Sequence, residues 1–173
     1  MPDYPDIDLY IAGGWRKTGL SLPVINPATE TVIGQVATCR QQDLDDALAA
    51  AAAGFRIWRA TSPRARAEVI LRAAALMRAR MDQIAQSITL EHGKPLDQAR
   101  LEVIRGCEFF EWDAAEAQRL YGRVVPSAAG IRYLVIQQPV GTVAAFAPWN
   151  FPLSQPARKI AGALAAGCSI IIK

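Results

Sequence analysis

Gly141-Thr142-Val143-Ala144-Ala145-Phe146-Ala147, followed by Pro148-Trp149-Asn150-Phe151-Pro152, Ser154 to Ala166, Gly167 and Cys168-Ser169-Ile170-Ile171-Ile172, reads as one structural unit. The first run is small and apolar without interruption, the pattern of a strand buried on both faces. Ser154 to Ala166 has helical composition, and Gly167 stands where a helix would stop. Cys168 to Ile172 is a second strand of the buried type. Strand, helix and strand within about 30 residues make a βαβ unit, and such units build parallel sheets. Parallel strands are normally covered by helices on both faces. Here the second strand runs into Lys173, the last residue. The expectation is therefore an α/β fold whose sheet is incomplete, with apolar surface and strand edges exposed.

Ligands of open α/β sheets sit beyond the carboxyl ends of the strands. The Pro148–Pro152 loop closes the first strand of the unit and so lies where a site belongs. The competing reading is a proline-stiffened turn with Trp149 packed into the core.

Working toward the N-terminus, Ile131 to Gln137 is β-rich inside a segment from Val124 to Gln138. Three helices precede it. The first has Thr38 and Gln41 at capping-box spacing and Leu44, Leu48, Ala51, Ala52, Phe55 and Trp58 on one face. The second runs from a Ser62 cap and Pro63 to Gly93, with Val69, Ile70, Ala73, Met77, Met81, Ile84 and Ile88 as its apolar stripe. The third begins at Pro95, turns Leu96, Ala99, Val103, Phe110, Ala114 and Ala117 inward, and ends at Gly122. Leu9 to Trp15 reads as a strand broken by Gly13-Gly14. Pro23 to Ala37 reads as a hairpin turning at Asn26-Pro27-Ala28-Thr29.

Composition excludes several classes. Net charge is only +3, and Arg59, Arg64, Arg66, Arg72, Arg78 and Arg80 are spread out as on a solvated helix face, so no nucleic-acid partner is expected. The apolar stretch from Ile160 to Ile172 is shorter than the roughly 20 residues a membrane span needs. Met1 to Asp8 lacks the apolar core of a signal peptide. Cys39, Cys107 and Cys168 are odd in number and widely spaced, with neither metal-ligand nor disulfide spacing. A reducing, cytoplasmic setting without a metal fits them best.

Taken together, Tyr10-Ile11-Ala12-Gly13-Gly14-Trp15, Asn26-Pro27-Ala28-Thr29-Glu30, Glu91-His92-Gly93-Lys94-Pro95, Glu111-Trp112, Arg119-Leu120-Tyr121-Gly122, Pro148 to Pro152, and Ala163-Leu164-Ala165-Ala166-Gly167-Cys168 with Lys173 resemble the NAD(P)-dependent aldehyde dehydrogenases, in order and spacing, along essentially the whole chain. The resemblance implies an aldehyde dehydrogenase-like α/β fold, incomplete here. Residues 1–122 would be the N-terminal hairpins and helices of the cofactor-binding domain, 123–139 a segment of the oligomerisation sheet, and 140–173 the first βαβ unit of a Rossmann-like sheet.

It also implies roles. Asn150 matches the family's oxyanion-hole asparagine, whose amide donates without titrating. Phe146, Ala147, Pro148 and Trp149 match the strand end lining the path of NAD or NADP, and Lys173 matches the lysine that binds the adenosine ribose hydroxyls. Arg158 resembles an arginine of succinate-semialdehyde dehydrogenases that meets the substrate carboxylate, for which a guanidinium fork is suited. His92 reads as structural. Without the resemblance, Asn150 could be a turn asparagine bonding its own backbone, Lys173 a solvated strand end and Arg158 a surface helix residue. The family's nucleophilic cysteine and general-base glutamate lie later in its chain, and none of the three cysteines here sits in a matching motif. Three functions therefore stand open at this point. The first is a portion of a homo-oligomeric enzyme oxidising an aldehyde, such as succinate semialdehyde, with the isolated chain inactive. The second is a non-catalytic remnant or an associating partner of a full-length relative. The third is a free-standing dinucleotide-binding module.

Overall fold

The computed structural model describes residues 4–173. Two antiparallel hairpins open the chain: β1 (Leu9–Ile11) with β2 (Gly14–Arg16), and β3 (Ser21–Asn26) with β4 (Thr31–Ala37). The turn of the second falls where the sequence placed it, and Asn26 stabilises it by accepting the Ala28 N–H on Oδ1 at 2.9 Å. Four helices follow: α1 (Gln41–Trp58), α2 (Pro63–Ala79), α3 (Met81–His92) and α4 (Leu96–Ala117). The strands β5 (Arg123–Val125) and β6 (Tyr133–Val135) make a third hairpin. The chain closes with β7 (Thr142–Ala145), α5 (Ser154–Ala165) and β8 (Ser169–Ile172), and β7 pairs with β8 in parallel. The βαβ unit read from the sequence is present, and the fold is α/β.

The core lies between α2, α4 and α5, with α3 packed on α4. Ile70, Val103, Cys107 and Phe110 fill it, surrounded by buried alanines at 67, 74, 99, 114, 117, 157, 161 and 165. Such small contact residues let helices approach closely. Burying each of the larger side chains contributes about 1.5–3 kcal/mol. Trp58 ties α1 to this layer by donating its indole N–H to the Leu164 carbonyl at 2.8 Å.

Several expectations need correction. The single helix from Ser62 to Gly93 is two, α2 and α3. Arg80 leaves the helical region at φ −106° and ψ 18° and serves as the C-cap of one and the N-cap of the other. The apolar stripe nevertheless continues through the bend, with Met77, Met81 and Ile84 against the core. The bend lets both helices pack on α4, which a straight rod could not do along its full length. Helix α1 is not capped by Thr38 and Gln41. Asp43 accepts the Arg40 N–H at 3.0 Å and pairs with Arg16 at 3.2 Å. Its Leu44 and Leu48 are exposed, as is Val69 on α2, because nothing in the described chain covers those faces.

Helix α4 stops at Ala117, before Gly122. Gly122 instead meets β6 closely: a Cβ there would stand 2.4 Å from the Val135 carbonyl oxygen, so no other residue fits without moving the strand. Gly167 does end α5, in the left-handed region at φ +89°. Beneath it lies Arg66, which the sequence reading put on a solvated face but which is buried, its Nη1 donating to the Thr61 carbonyl at 2.9 Å.

The expected exposure is present. Val124, Leu134 and Ile136 around the β5–β6 hairpin, and Phe146 and Trp149 after β7, all face outward. Among the described residues no helix is long and apolar enough to cross a membrane.

The cysteines provide a direct check on this packing. Cys39 is exposed, whereas Cys107 and Cys168 are buried. Burial pushes the Cys107 thiol above its ordinary value, and its Sγ faces the Ala74 carbonyl at 3.6 Å. One thiol is expected to react quickly with an aromatic disulfide reagent in the native chain, and all three after denaturation. Two fast native thiols would contradict the burial of Cys107 and Cys168.

Candidate active site

The parallel ladder continues past its strands. Lys173 donates its backbone N–H to Ala145 at 2.9 Å, and Ala147 donates to Lys173 at 2.8 Å. Phe146, Ala147 and Lys173 are thereby brought side by side at the carboxyl edge of the sheet. Beyond them the chain turns through Pro148–Leu153 into α5. Pro148 and Pro152 fix φ in this loop, and Pro156 falls in the first turn of α5, where its missing N–H has no intrahelical partner to lose. Phe146 and Trp149 are 72% and 80% exposed, so they form an open aromatic ledge rather than core. The reading of Trp149 as core packing is excluded, although its ring does lie 5.8 Å from that of His92.

Asn150 is exposed at the turn of the loop. Among the described residues its side-chain amide makes no hydrogen bond, in contrast to Asn26, which closes its own turn. A turn role for the Asn150 side chain is therefore not seen, and its donor is free to meet a ligand.

The loop is held from below by two residues to which the sequence analysis assigned no role. Glu102 on α4 accepts the N–H groups of Leu153 and Ser154 on Oε1, at 2.9 and 3.0 Å. Its Oε2 is ion-paired with Lys94. Lys94 in turn directs Nζ toward the Asn150 carbonyl at 3.4 Å and sits 4.3 Å from the centre of the Phe151 ring. Burial alone would push the Glu102 carboxyl up. The Lys94 ammonium and the two backbone N–H groups outweigh it and hold the carboxyl below its ordinary value. One signal was available in the sequence: Glu102 stands three residues after Ala99 and beside Val103, on the face of α4 that turns inward.

Arg158 lies on the exposed side of α5 with its guanidinium 4.4 Å from the centre of the Phe109 ring. The aromatic face leaves the fork's N–H edge open to an acceptor. Among the described residues no group of three or more His, Cys, Asp or Glu side chains could hold a metal ion.

A model of the aldehyde dehydrogenase family matches residues 15–173, and the chain belongs to that family. It is 38% identical to a succinate semialdehyde dehydrogenase of Acinetobacter baylyi, over 94% of this chain and 34% of that protein. An NADP-dependent enzyme of E. coli superposes with a TM-score of 0.93 at 38% identity, covering 96% of this chain and 35% of the other. PnpE in complex with nicotinamide adenine dinucleotide does so with a TM-score of 0.93 at 33% identity, covering 96% and 35%. The chain thus spans about a third of the length of the relatives it matches.

Proposed function

We propose that this chain supplies the oxyanion donor and one cofactor wall of an enzyme that oxidises an aldehyde to the carboxylic acid with NAD or NADP. The observation that carries the reading is the unpaired amide of Asn150, presented at the carboxyl end of β7 beside the exposed ledge of Phe146 and Trp149. The family's chemistry supplies the rest. A cysteine thiolate forms a bond to the aldehyde carbon, and the C=O π electrons move onto oxygen. The Asn150 NH2 group donates to that oxygen as its negative charge develops and holds it in place without titrating. As the C=O bond re-forms, hydride leaves the carbon, and water activated by a glutamate then releases the acid and the thiolate. The nicotinamide, when bound, is the hydride acceptor.

The ledge residues fit such a group. Phe146, Ala147, Pro148 and Trp149 offer apolar surface at the sheet's carboxyl edge, and the Lys173 ammonium is a donor suited to ribose hydroxyls. Residues 1–122 and 140–173 are assigned to the cofactor-binding domain. Residues 123–139, whose β5–β6 hairpin exposes Val124 and Leu134, are assigned to the oligomerisation sheet of a homo-oligomer. The cysteine and glutamate of the reaction come from the remainder of the enzyme, and the isolated chain is expected to be inactive.

Arg158 makes the substrate a semialdehyde bearing a carboxylate, such as succinate semialdehyde. The similarity to succinate semialdehyde dehydrogenase supports this choice. The test is reduction of NAD or NADP by the enzyme containing this chain, with succinate semialdehyde and with a simple aliphatic aldehyde. Arg158→Ala is expected to lower kcat/KM for the semialdehyde by about 10- to 100-fold, the worth of a charge-assisted hydrogen bond of about 1.5–3 kcal/mol, and to leave the aliphatic aldehyde little changed. Equal losses on both would remove Arg158 from the substrate site.

A further inference from the structure

We propose that Lys94 and Glu102 form a positioning pair that sets the direction of the oxyanion donor, an inference that rests on the reading of Asn150 given above. The pair reaches residues 150, 151, 153 and 154 at once. Glu102 takes two adjacent backbone N–H groups, and Lys94 meets the Asn150 carbonyl and the Phe151 ring. Both charges are withdrawn from water, with side-chain exposures of 2% for Glu102 and 11% for Lys94. A buried ion pair is often no more stabilising than apolar residues of the same volume. Stability alone is therefore a weak reason to place one here. Geometry is a stronger one, because a catalytic group must be held to within about 0.5 Å and its support must itself be locked.

The carboxylate fixes where α5 begins, and the ammonium fixes the peptide that carries the Asn150 side chain. The two anchors come from separate places, the α3–α4 connection and the second turn of α4. Both are braced by the helical core, since Glu102 is followed one turn later by Gly106, where a Cβ would stand 3.5 Å from Leu153. The loop thus inherits its position from the helical layer rather than from the sheet edge alone.

The test is a set of variants of the complete enzyme. Glu102→Leu removes both acceptor contacts and is expected to lower kcat per folded molecule by about 10²-fold, the loss produced by a misplacement of about 1 Å, with KM for aldehyde and cofactor nearly unchanged. Glu102→Gln keeps an oxygen for Leu153 and Ser154 and recovers most of that loss. In an Asn150→Ala background, Glu102→Leu has no further effect on kcat, because the donor it positions is gone. Hydrogen exchange should quicken at the Leu153 and Ser154 amides in Glu102→Leu and stay slow in Glu102→Gln. The proposal is overturned if the loss tracks only the fraction of folded enzyme, or if it multiplies in full with that of Asn150→Ala. If Asn150→Ala itself leaves kcat intact, the oxyanion reading fails first and the pair has nothing to position. That pattern is distinct from intact Asn150 dependence with an indifferent Glu102.

Discussion

Replacing Asn150 by alanine is expected to lower kcat of the complete enzyme by about 10²–10³-fold, the usual loss for one oxyanion-hole donor. The Asn150 amide is exposed at the loop turn and has no internal hydrogen bond to give up, so its removal should cost the fold little. On the proposed reading, it removes a donor aimed at a charge that exists only after the nucleophile has attacked. Interactions made in the transition state and not in the ground state lower kcat and leave KM for aldehyde largely alone. Asn150→Asp tests the sign of the effect. A carboxylate there accepts but cannot donate, and its charge opposes the developing oxyanion, so it should be worse than alanine. Steady-state reduction of NAD or NADP with each variant decides the matter. A tenth or more of kcat surviving in Asn150→Ala would exclude this residue as the oxyanion donor.

The loop that carries the candidate site was more legible in the sequence than its support. The unbroken apolar run from Gly141, the prolines around Asn150 and the helix stop at Gly167 each have a local physical cause, and together they place a loop at the carboxyl end of a parallel strand. Local pattern also found the β3–β4 hairpin and the inward face of α4, and it marked Leu9 to Trp15 as one broken strand where the structure has the pair β1 and β2. It did not find the break at Arg80. Arginine is a good helix former and the stripe from Met77 to Ile84 keeps its period through the bend, so the cause is tertiary: both α2 and α3 rest on α4.

Burial of charge was harder to read, with only the place of Glu102 on the inward face of α4 to mark it. Arg66 reads as a solvated helix residue because a charged side chain is seldom buried without a partner, and Glu102 drew no role at all. Thr61 and Lys94 are near partners, but the groups that complete the burial lie far along the chain. Glu102 is bonded to backbone 51 and 52 residues away, and Arg66 packs under Gly167. Leu44 and Leu48 fail for the opposite reason. Their spacing is that of a core-facing stripe, yet the described chain places nothing over them.

The second large effect is on stability. Lys94→Met keeps the length and much of the apolar stem of the side chain but removes the charge that faces Glu102. Breaking a buried ion pair from one side typically costs about 3–5 kcal/mol, because the remaining charge is left without its counter-ion. Glu102 keeps its two backbone donors, so a value toward the lower end of that range is expected at pH 7. The dependence on pH follows from the direction of the shift. In the native chain burial pushes the Glu102 carboxyl up, but Lys94 and the N–H groups of Ser154 and Leu153 hold it below its ordinary value. A carboxyl whose folded pKa lies below the unfolded one adds stability at pH values above the unfolded value, about 4.3. It loses that contribution as pH falls through the folded value. In Lys94→Met the main counterweight to burial is gone, the carboxyl rises, and protonation relieves the variant before it affects the native chain. The unfolded chains titrate alike, so the deficit measured by urea unfolding should be large at pH 7, begin to shrink as pH falls through the variant's raised carboxyl value, and be smallest below the native one. Glu102→Gln, which carries no charge to strand, should make a following Lys94→Met substitution far less damaging at neutral pH. A deficit that is the same at neutral and acid pH would mean that Lys94 contributes only the packing of its stem against Phe151, and that the charge pair does not hold this loop.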